Sequence, residues 1–225
     1  MTATLSFKDG KTERICGLIA AIHPGIKTLL VVGCGNGVEA AILAEALGAA
    51  VTGIDTQDDF DPRARKVADL RVGDALALDF PDESFDFVYS YHALEHIRQP
   101  AVAIREMARV LKRDGGYWIG TPNRSRLLGY IGSKSASFAE KVQWNINDWR
   151  ARLTGRFQNA LGAHAGFTAA ELRGLLAAAL PPPKNQTFEY YRAIYPARQV
   201  TRNFLNATGL HRIAYPCLYF SGRGP

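Results

Sequence analysis

Apolar positions along the chain fall into two alternating rhythms. Ile15, Leu18, Ile19 and Ile22 recur at i, i+3, i+4 and i+7. That spacing predicts an amphipathic helix over residues 12–22, stopped by His23-Pro24-Gly25. A continuous apolar run, TLLVV at 28–32, then reads as a strand buried on both faces. Gly33-Cys34-Gly35-Asn36-Gly37 leads from it into VEAAILAEALG, a helix apolar nearly all round and ended by Gly48. Further strands are predicted at 50–54, ending on Asp55; near 70–72, ending at Gly73-Asp74; and at 85–90. A helix over 101–112 places Ile104, Met107, Ala108 and Leu111 on one face, and Asp114-Gly115-Gly116 turns the chain into a fifth strand at 117–120. Such alternation builds a doubly wound α/β fold, a parallel sheet with helices on both faces.

Beyond Thr121 the alternation lapses. Residues 124–166 are too many for a plain connection and are expected to form a lid or substrate-recognition insert within a single domain spanning 1–225. Its helical, basic stretch from Lys134 to Arg156 carries Trp144, Trp149, Arg150 and Arg152. Three readings fit it: a lid helix, a surface for anions or RNA, and a helix lying on a membrane. Thr168 and Glu171 then predict a capping box before Leu172, Leu175, Leu176 and Ala179, and Pro181-Pro182-Pro183 end that helix. A β-rich run at 187–195, a short helix at 197–208 and a second β-rich run at 213–220 close the chain.

Composition narrows the class. No apolar run approaches the ~20 residues of a membrane-spanning helix, and MTATLSFKDGKTER lacks the basic-then-apolar order of an export signal. Three cysteines, Cys16, Cys34 and Cys217, stand without CxxC spacing. They argue against a disulfide framework or cysteine zinc site and for a reducing, cytoplasmic setting. A net charge of +6 admits an anionic partner without requiring one.

Glycines in GxGxG between a buried strand and a helix allow a tight turn with backbone close to a ligand, and the helix N-terminus adds donors. Asp55, at the end of the next strand, is placed to accept both hydroxyl hydrogens of a ribose. The third glycine comes one residue too early for the GxGxxG of dinucleotide dehydrogenases, and Asp74 is placed to accept from an adenine amine. Together VVGCGNG, GID, GDALALDFPDESFDFVYS, HALEHI and REMARVLKRDGGYWIGTPNR resemble the class I S-adenosylmethionine-dependent methyltransferases, most of all the group whose fourth motif ends in LEH. The resemblance covers about residues 28–123 in order, and 164–220 more loosely. It implies a Rossmann-like, seven-stranded, mostly parallel sheet in the order 3-2-1-4-5-7-6, with strand seven antiparallel and the two late β-rich runs as strands six and seven. It further implies cofactor contacts from Gly33, Cys34, Gly35 and Gly37, from Asp55 to ribose, from Asp74 to adenine, from the backbone of Ala75, and from Tyr89 and Ser90 near the methionine end. One departure is Val31, where the family often has an acidic residue.

His92, Glu95 and His96 form H-x-x-E-H after the fourth strand, and residues three and four apart share one face of a helical turn. Such a face holds a divalent metal or supplies a general base. The region also resembles, weakly, the plant small-RNA 3′-end methyltransferases, whose E-x-x-E-H and distant histidine hold a metal; His164 falls where that distant histidine would lie. A structural role for LEH outweighs the metal, so the set His92, Glu95, His96 and His164 is carried only as the candidate ligands. The expectation is therefore transfer of a methyl group from S-adenosylmethionine to an oxygen or nitrogen of a small-molecule acceptor, leaving S-adenosylhomocysteine, with His92 or His96 as base. A homodimer is compatible with the sequence, and nucleic acid is not favoured as partner. The alternatives are a nucleic-acid methyltransferase with a metal-assisted His/Glu site and a non-catalytic nucleotide-binding scaffold.

Overall fold

The computed structural model describes residues 9–130, 136–161 and 163–225. Asp9 opens helix α1 (Gly10–Ile22) by accepting from the Thr12 amide at 3.3 Å, and the helix buries Ile15, Cys16 and Ile19. The chain then alternates through β1 (Thr28–Val32), α2 (Val38–Leu47), β2 (Ala50–Asp55), β3 (Asp69–Val72), β4 (Phe85–Tyr91), α3 (Pro100–Val110) and β5 (Leu111–Pro122). After β5 come α4 (Phe138–Leu153), α5 (Ala169–Ala177), β6 (Lys184–Asn185), α6 (Thr187–Ile194), α7 (Gln199–Ala207), α8 (His211–Ala214) and β7 (Cys217–Arg223).

Seven strands form one sheet in the order β3-β2-β1-β4-β5-β7-β6, parallel except for β7, which runs antiparallel to both neighbours. Successive residues of β1 feed opposite cores, Leu29 and Val31 the one beneath α1 and α2, Leu30 and Val32 the one beneath α3 and α5. That is why the strand is apolar at every position rather than alternating. The order reverses between β1 and β4, so the crevice of this fold opens above the carboxyl ends of those strands.

Three expectations need correction. Residues 187–195 are not strand six. Their aromatic and β-branched content suits a strand, but Thr187, Tyr190 and Tyr191 are buried at helical spacing, and Asn185 starts a helix by accepting from the Thr187 amide at 2.9 Å. Strand six is instead the two-residue β6. The last strand begins at Cys217, because α8 takes up residues 211–214. Finally, Asp114-Gly115-Gly116 is not a turn between helix and strand: β5 already starts at Leu111, and the extra residues bulge between the Phe85–Leu111 and Phe87–Gly116 pairs. The capping box is as expected, with Thr168 and Glu171 exchanging hydrogen bonds at the start of α5, and all three cysteines are free.

Asp86 ties the sheet's starting edge together. One carboxylate oxygen accepts from the Lys27 and Thr28 amides at 2.9 and 2.8 Å, the other from Lys112 at 2.7 Å. Partial burial favours the neutral acid, but the Lys112 ammonium and the two amides outweigh it and hold Asp86 down at about 2. A carboxyl depressed in the folded state stabilises above its unfolded value near 3.8 and loses that contribution as the pH falls toward 2. Asp86→Asn should therefore lower unfolding free energy by about 1–2 kcal/mol at pH 7. Urea titrations at pH 7 and pH 3 check this: the penalty should shrink at the lower pH, and an equal penalty at both would contradict the assignment.

Candidate active site

Backbone geometry builds the first wall of the crevice. Gly33 has φ +74°, and a β-carbon there would lie 2.3 Å from Cβ of Ala93, in the segment that leaves β4. At Gly37 a β-carbon would meet only the movable end of the Leu70 side chain, at 2.2 Å, and it is the φ of +81° that calls for glycine. Only glycine fits both positions. The amides of Gly33 and Cys34 donate to the Ile54 carbonyl at 2.9 Å each, and the Gly35 amide donates to Asp55 Oδ2 at 2.8 Å. Asp55 thus fastens the glycine loop to β2 and keeps lone pairs for a ligand. Asp74 accepts from the Leu76 amide through Oδ1 at 2.9 Å, which leaves Oδ2 for a donor outside the chain.

Gly33, Gly35, Asp55, Asp74, Ala75, His92 and His96 all line one crevice of about 550 Å³. The other predicted contacts stand behind its wall. The Cys34 side chain is buried against Gly53, and burial pushes its thiol up to about 12, so this residue offers a ligand only its backbone. Tyr89 and Ser90 are fully buried on β4; the Tyr89 hydroxyl donates to Glu39 at 2.7 Å and Ser90 to the Val32 carbonyl at 3.1 Å.

The histidines fall into two separate pairs rather than one face. His92 precedes the 3₁₀ turn Leu94–His96 and adopts φ +53°, an uncommon backbone for a residue with a side chain. Its Nδ1 lies 3.3 Å from Glu95 Oε1, and the other Glu95 oxygen accepts from Thr121 at 3.1 Å. On the opposite side of the ring, Nε2 lies 3.5 Å from the Cys217 thiol on β7. Burial favours neutral imidazole, yet the Cys217 sulfur and the Glu95 carboxylate overcome it and raise His92 to about 9, while the same pairing lowers Cys217 and Glu95. His96 instead meets His164, ring centroids 4.8 Å apart at an interplanar angle of 80°. Among the described residues no group of three or more His, Cys, Asp or Glu side chains is arranged to hold a metal ion.

A second cavity, about 730 Å³, opens on the other side of His92 between β5, β7 and the helices α6 to α8. Tyrosines dominate its walls: Tyr190 stacks on Tyr219 with centroids 3.6 Å apart, and Tyr215 on Tyr191 at 4.2 Å. The insert contributes through Arg126 and Tyr130, which are braced by α4, since Asp148 accepts from Arg126 at 2.9 Å and from Tyr130 at 3.1 Å. Helix α4 itself buries no residue. Its Lys141, Trp144, Trp149, Arg150 and Arg152 are described, whereas Lys134 lies outside the described residues.

Sequence reasoning missed Glu39, Cys217 and the tyrosine cavity. Glu39 sits in the first turn of α2, is raised by burial, and is held by Tyr89 in the fields of Lys11 and His92. It stands two residues after Gly37, and an acid at that point was its only signal. Cys217 had none, because only the antiparallel return of β7 brings it to His92.

A family model described as a methyltransferase domain matches residues 30–119. The chain is 31% identical over 176 residues to a phosphatidylethanolamine N-methyltransferase of Cereibacter sphaeroides, covering 73% of this chain and 77% of that protein. It is 41% identical over 105 residues to a 2-methyl-6-phytyl-1,4-hydroquinone methyltransferase of Synechocystis sp.; the match covers 44% of this chain but only 33% of that relative. Among solved structures, a Haemonchus contortus phosphoethanolamine N-methyltransferase 2 aligns over 95% of this chain and 53% of its own, with a TM-score of 0.60 and 16% identity, a likeness of fold.

The steric account distinguishes two neighbouring glycines. Gly33→Ala should lower unfolding free energy by about 3 kcal/mol or more, because strain at positive φ adds to a clash with Ala93. Gly35→Ala, at φ +54° but with open space around it, should cost only about 1 kcal/mol of backbone strain. Equal penalties in chemical denaturation would contradict the close approach.

Proposed function

The chain belongs to the class I S-adenosylmethionine-dependent methyltransferases, and from that membership we propose that its acceptor is a small molecule, methylated on oxygen or nitrogen, that binds in the tyrosine-lined cavity. The observation that carries this reading is the position of His92, which lines both the glycine-loop crevice and the tyrosine cavity. A donor bound in one and an acceptor bound in the other would meet at that residue. The curated relatives named above act on a hydroquinone and on phosphatidylethanolamine, in keeping with a non-polymeric acceptor.

The residues of the crevice suit the cofactor. Asp55 presents carboxylate lone pairs for a ribose diol, Asp74 Oδ2 an acceptor for the adenine amine, and the loop at Gly35 an exposed backbone against which no β-carbon stands. When bound, S-adenosylmethionine supplies a methyl group already activated on a sulfonium, so positioning of the acceptor carries much of the catalysis. The protein's chemical task is then to hold the acceptor atom and remove its proton.

His92 takes that proton. Glu95 fixes its ring through Nδ1 and is itself fixed by Thr121, so Nε2 is the atom that faces the acceptor side. Cys217 Sγ occupies that side, 3.5 Å away, and marks where a hydroxyl or amine would insert. Glu95 then balances the imidazolium that forms. No metal enters this scheme, because the two histidines of H-x-x-E-H serve different pairs. The insert at 124–166 acts as the cavity's cover, through Arg126 and Tyr130.

Transfer of a labelled methyl group to a panel of small phenols, acids and amines tests the reading. His92→Ala should lower turnover by about 10²- to 10⁴-fold, with unchanged affinity for S-adenosylhomocysteine, and a chelator should leave turnover as it was. A base held protonated to about pH 9 by Cys217 and Glu95 makes the rate climb with pH until that value. Removing either partner lowers the imidazole's pKa, so Glu95→Gln and Cys217→Ala should each move the climb to lower pH. The surrounding groups that also act on this ring, Glu39 and His164, remain in both variants, as does Lys11, which acts on Cys217 and Glu39. A pH profile unmoved by both substitutions would remove His92 from the role of base, and loss of cofactor binding in His92→Ala would place it in the donor crevice instead.

A further inference from the structure

Helix α7 packs Leu205 against the core but also turns an arginine inward. Of its residues only Arg202 is buried, 6% exposed, while Val200 and Phe204 face outward at 83% and 59%. A surface helix ordinarily does the opposite. Arg202 reaches the tyrosine cavity. Its Nη1 donates to the Tyr195 carbonyl, its buried Nε has no partner, and it makes no ion pair among the described residues. Beside it the Tyr215 hydroxyl is also buried without a partner, and lies in the field of the guanidinium.

An unpaired buried cation costs folding free energy, so a protein keeps one where something else completes it. No chain carboxylate does so here: the described residues lining the cavity include no Asp and no Glu. Of the other cations on these walls, Arg126 pairs with Asp148, protonated His92 with Glu95, Lys11 donates to the Tyr91 hydroxyl, and Arg198 is exposed to solvent. Arg202 and Tyr215 thus each bring an orphan donor to a ring-lined cavity wall; a ligand oxygen would complete them, and the positive charge favours an anionic one.

Resting on the reading that this cavity receives the acceptor, we propose that Arg202 and Tyr215 form an anion subsite, and that the acceptor carries a carboxylate or phosphate ester on an apolar body. The acid group docks on the guanidinium and the Tyr215 hydroxyl. The tyrosine stacks hold the body, and the atom to be methylated is presented at the junction with the donor crevice. The subsite selects acceptors by charge and takes no part in proton transfer.

Calorimetry on the protein saturated with S-adenosylhomocysteine tests this with three probes: 4-hydroxycinnamate, phenyl phosphate and the neutral 4-hydroxycinnamamide. At least one acid should bind roughly 10- to 100-fold tighter than the amide, the range a charge-assisted hydrogen bond supplies. Which acid prevails tells a carboxylate from a phosphate ester. Arg202→Met should erase the preference without changing affinity for S-adenosylhomocysteine. It should also leave the melting midpoint of the ligand-free protein unchanged or higher, because an unpaired charge has been replaced by an apolar chain of similar reach. Tyr215→Phe should weaken the acid by a smaller factor. An amide that binds as well as both acids, a preference that survives Arg202→Met, or no acid binding together with a lower melting midpoint in Arg202→Met would each overturn the subsite. Acids bound with the expected Arg202 dependence but never methylated would leave the subsite standing and sink the acceptor reading.

Discussion

The backbone at Gly33 passes so close to Ala93 that a β-carbon on the glycine would overlap the alanine's, and the architecture of the site follows from that approach. It brings the segment leaving β4 over the end of β1, at the point where the strand order reverses. Once the two segments touch, the glycine loop and His92 share one crevice, and the same histidine faces the cavity behind it. A larger residue at 33 would separate these segments and with them the two halves of the site. Asp55 completes the arrangement from β2 by holding the Gly35 amide. The contacts that shape the crevice are thus mainly steric or made by backbone, and its side chains are left to meet ligands.

Electrostatics divide the site in two. The crevice presents carboxylates, Asp55 and Asp74. The cavity presents tyrosines and cations, with no carboxylate among its described lining residues. Between them stands the Glu95–His92–Cys217 array, with His92 lining both. Of the insert's described residues, Arg126, Tyr130 and His164 line the cavity, and α4 braces the first two from outside without burying any side chain of its own.

The fold was legible over most of residues 28–122 because a buried parallel strand leaves an unmistakable apolar run, although Asp114-Gly115-Gly116 reads as a turn and is a bulge within β5. It was less legible after β5. There the sequence Thr187-Phe-Glu-Tyr-Tyr191 satisfies strand propensity and helical spacing equally, and burial of Tyr190 and Tyr191 beside β7 decides for the helix. At the site, Gly33, Gly35, Asp55, Asp74 and Ala75 could be read because each lies at the end of a strand. Tyr89 and Ser90 could not be sorted in the same way: in a strand covered on both faces, side chains near the ligand's end can still point into the core. Cys217, Arg202 and Tyr215 were invisible, since sequence-distant helices and an antiparallel strand bring them to the cavity. His92 and His96 looked like one face of a helix, but the positive φ at His92 turns it away from that face.

The most direct measurement is a crystal structure of the protein with S-adenosylhomocysteine bound. The account requires density in the glycine-loop crevice, with the ribose hydroxyls on Asp55, the adenine amine near Asp74, and the thioether end directed past His92 toward the tyrosine cavity. Nucleoside density in the tyrosine cavity, or a crevice with its thioether end sealed from that cavity, would contradict it.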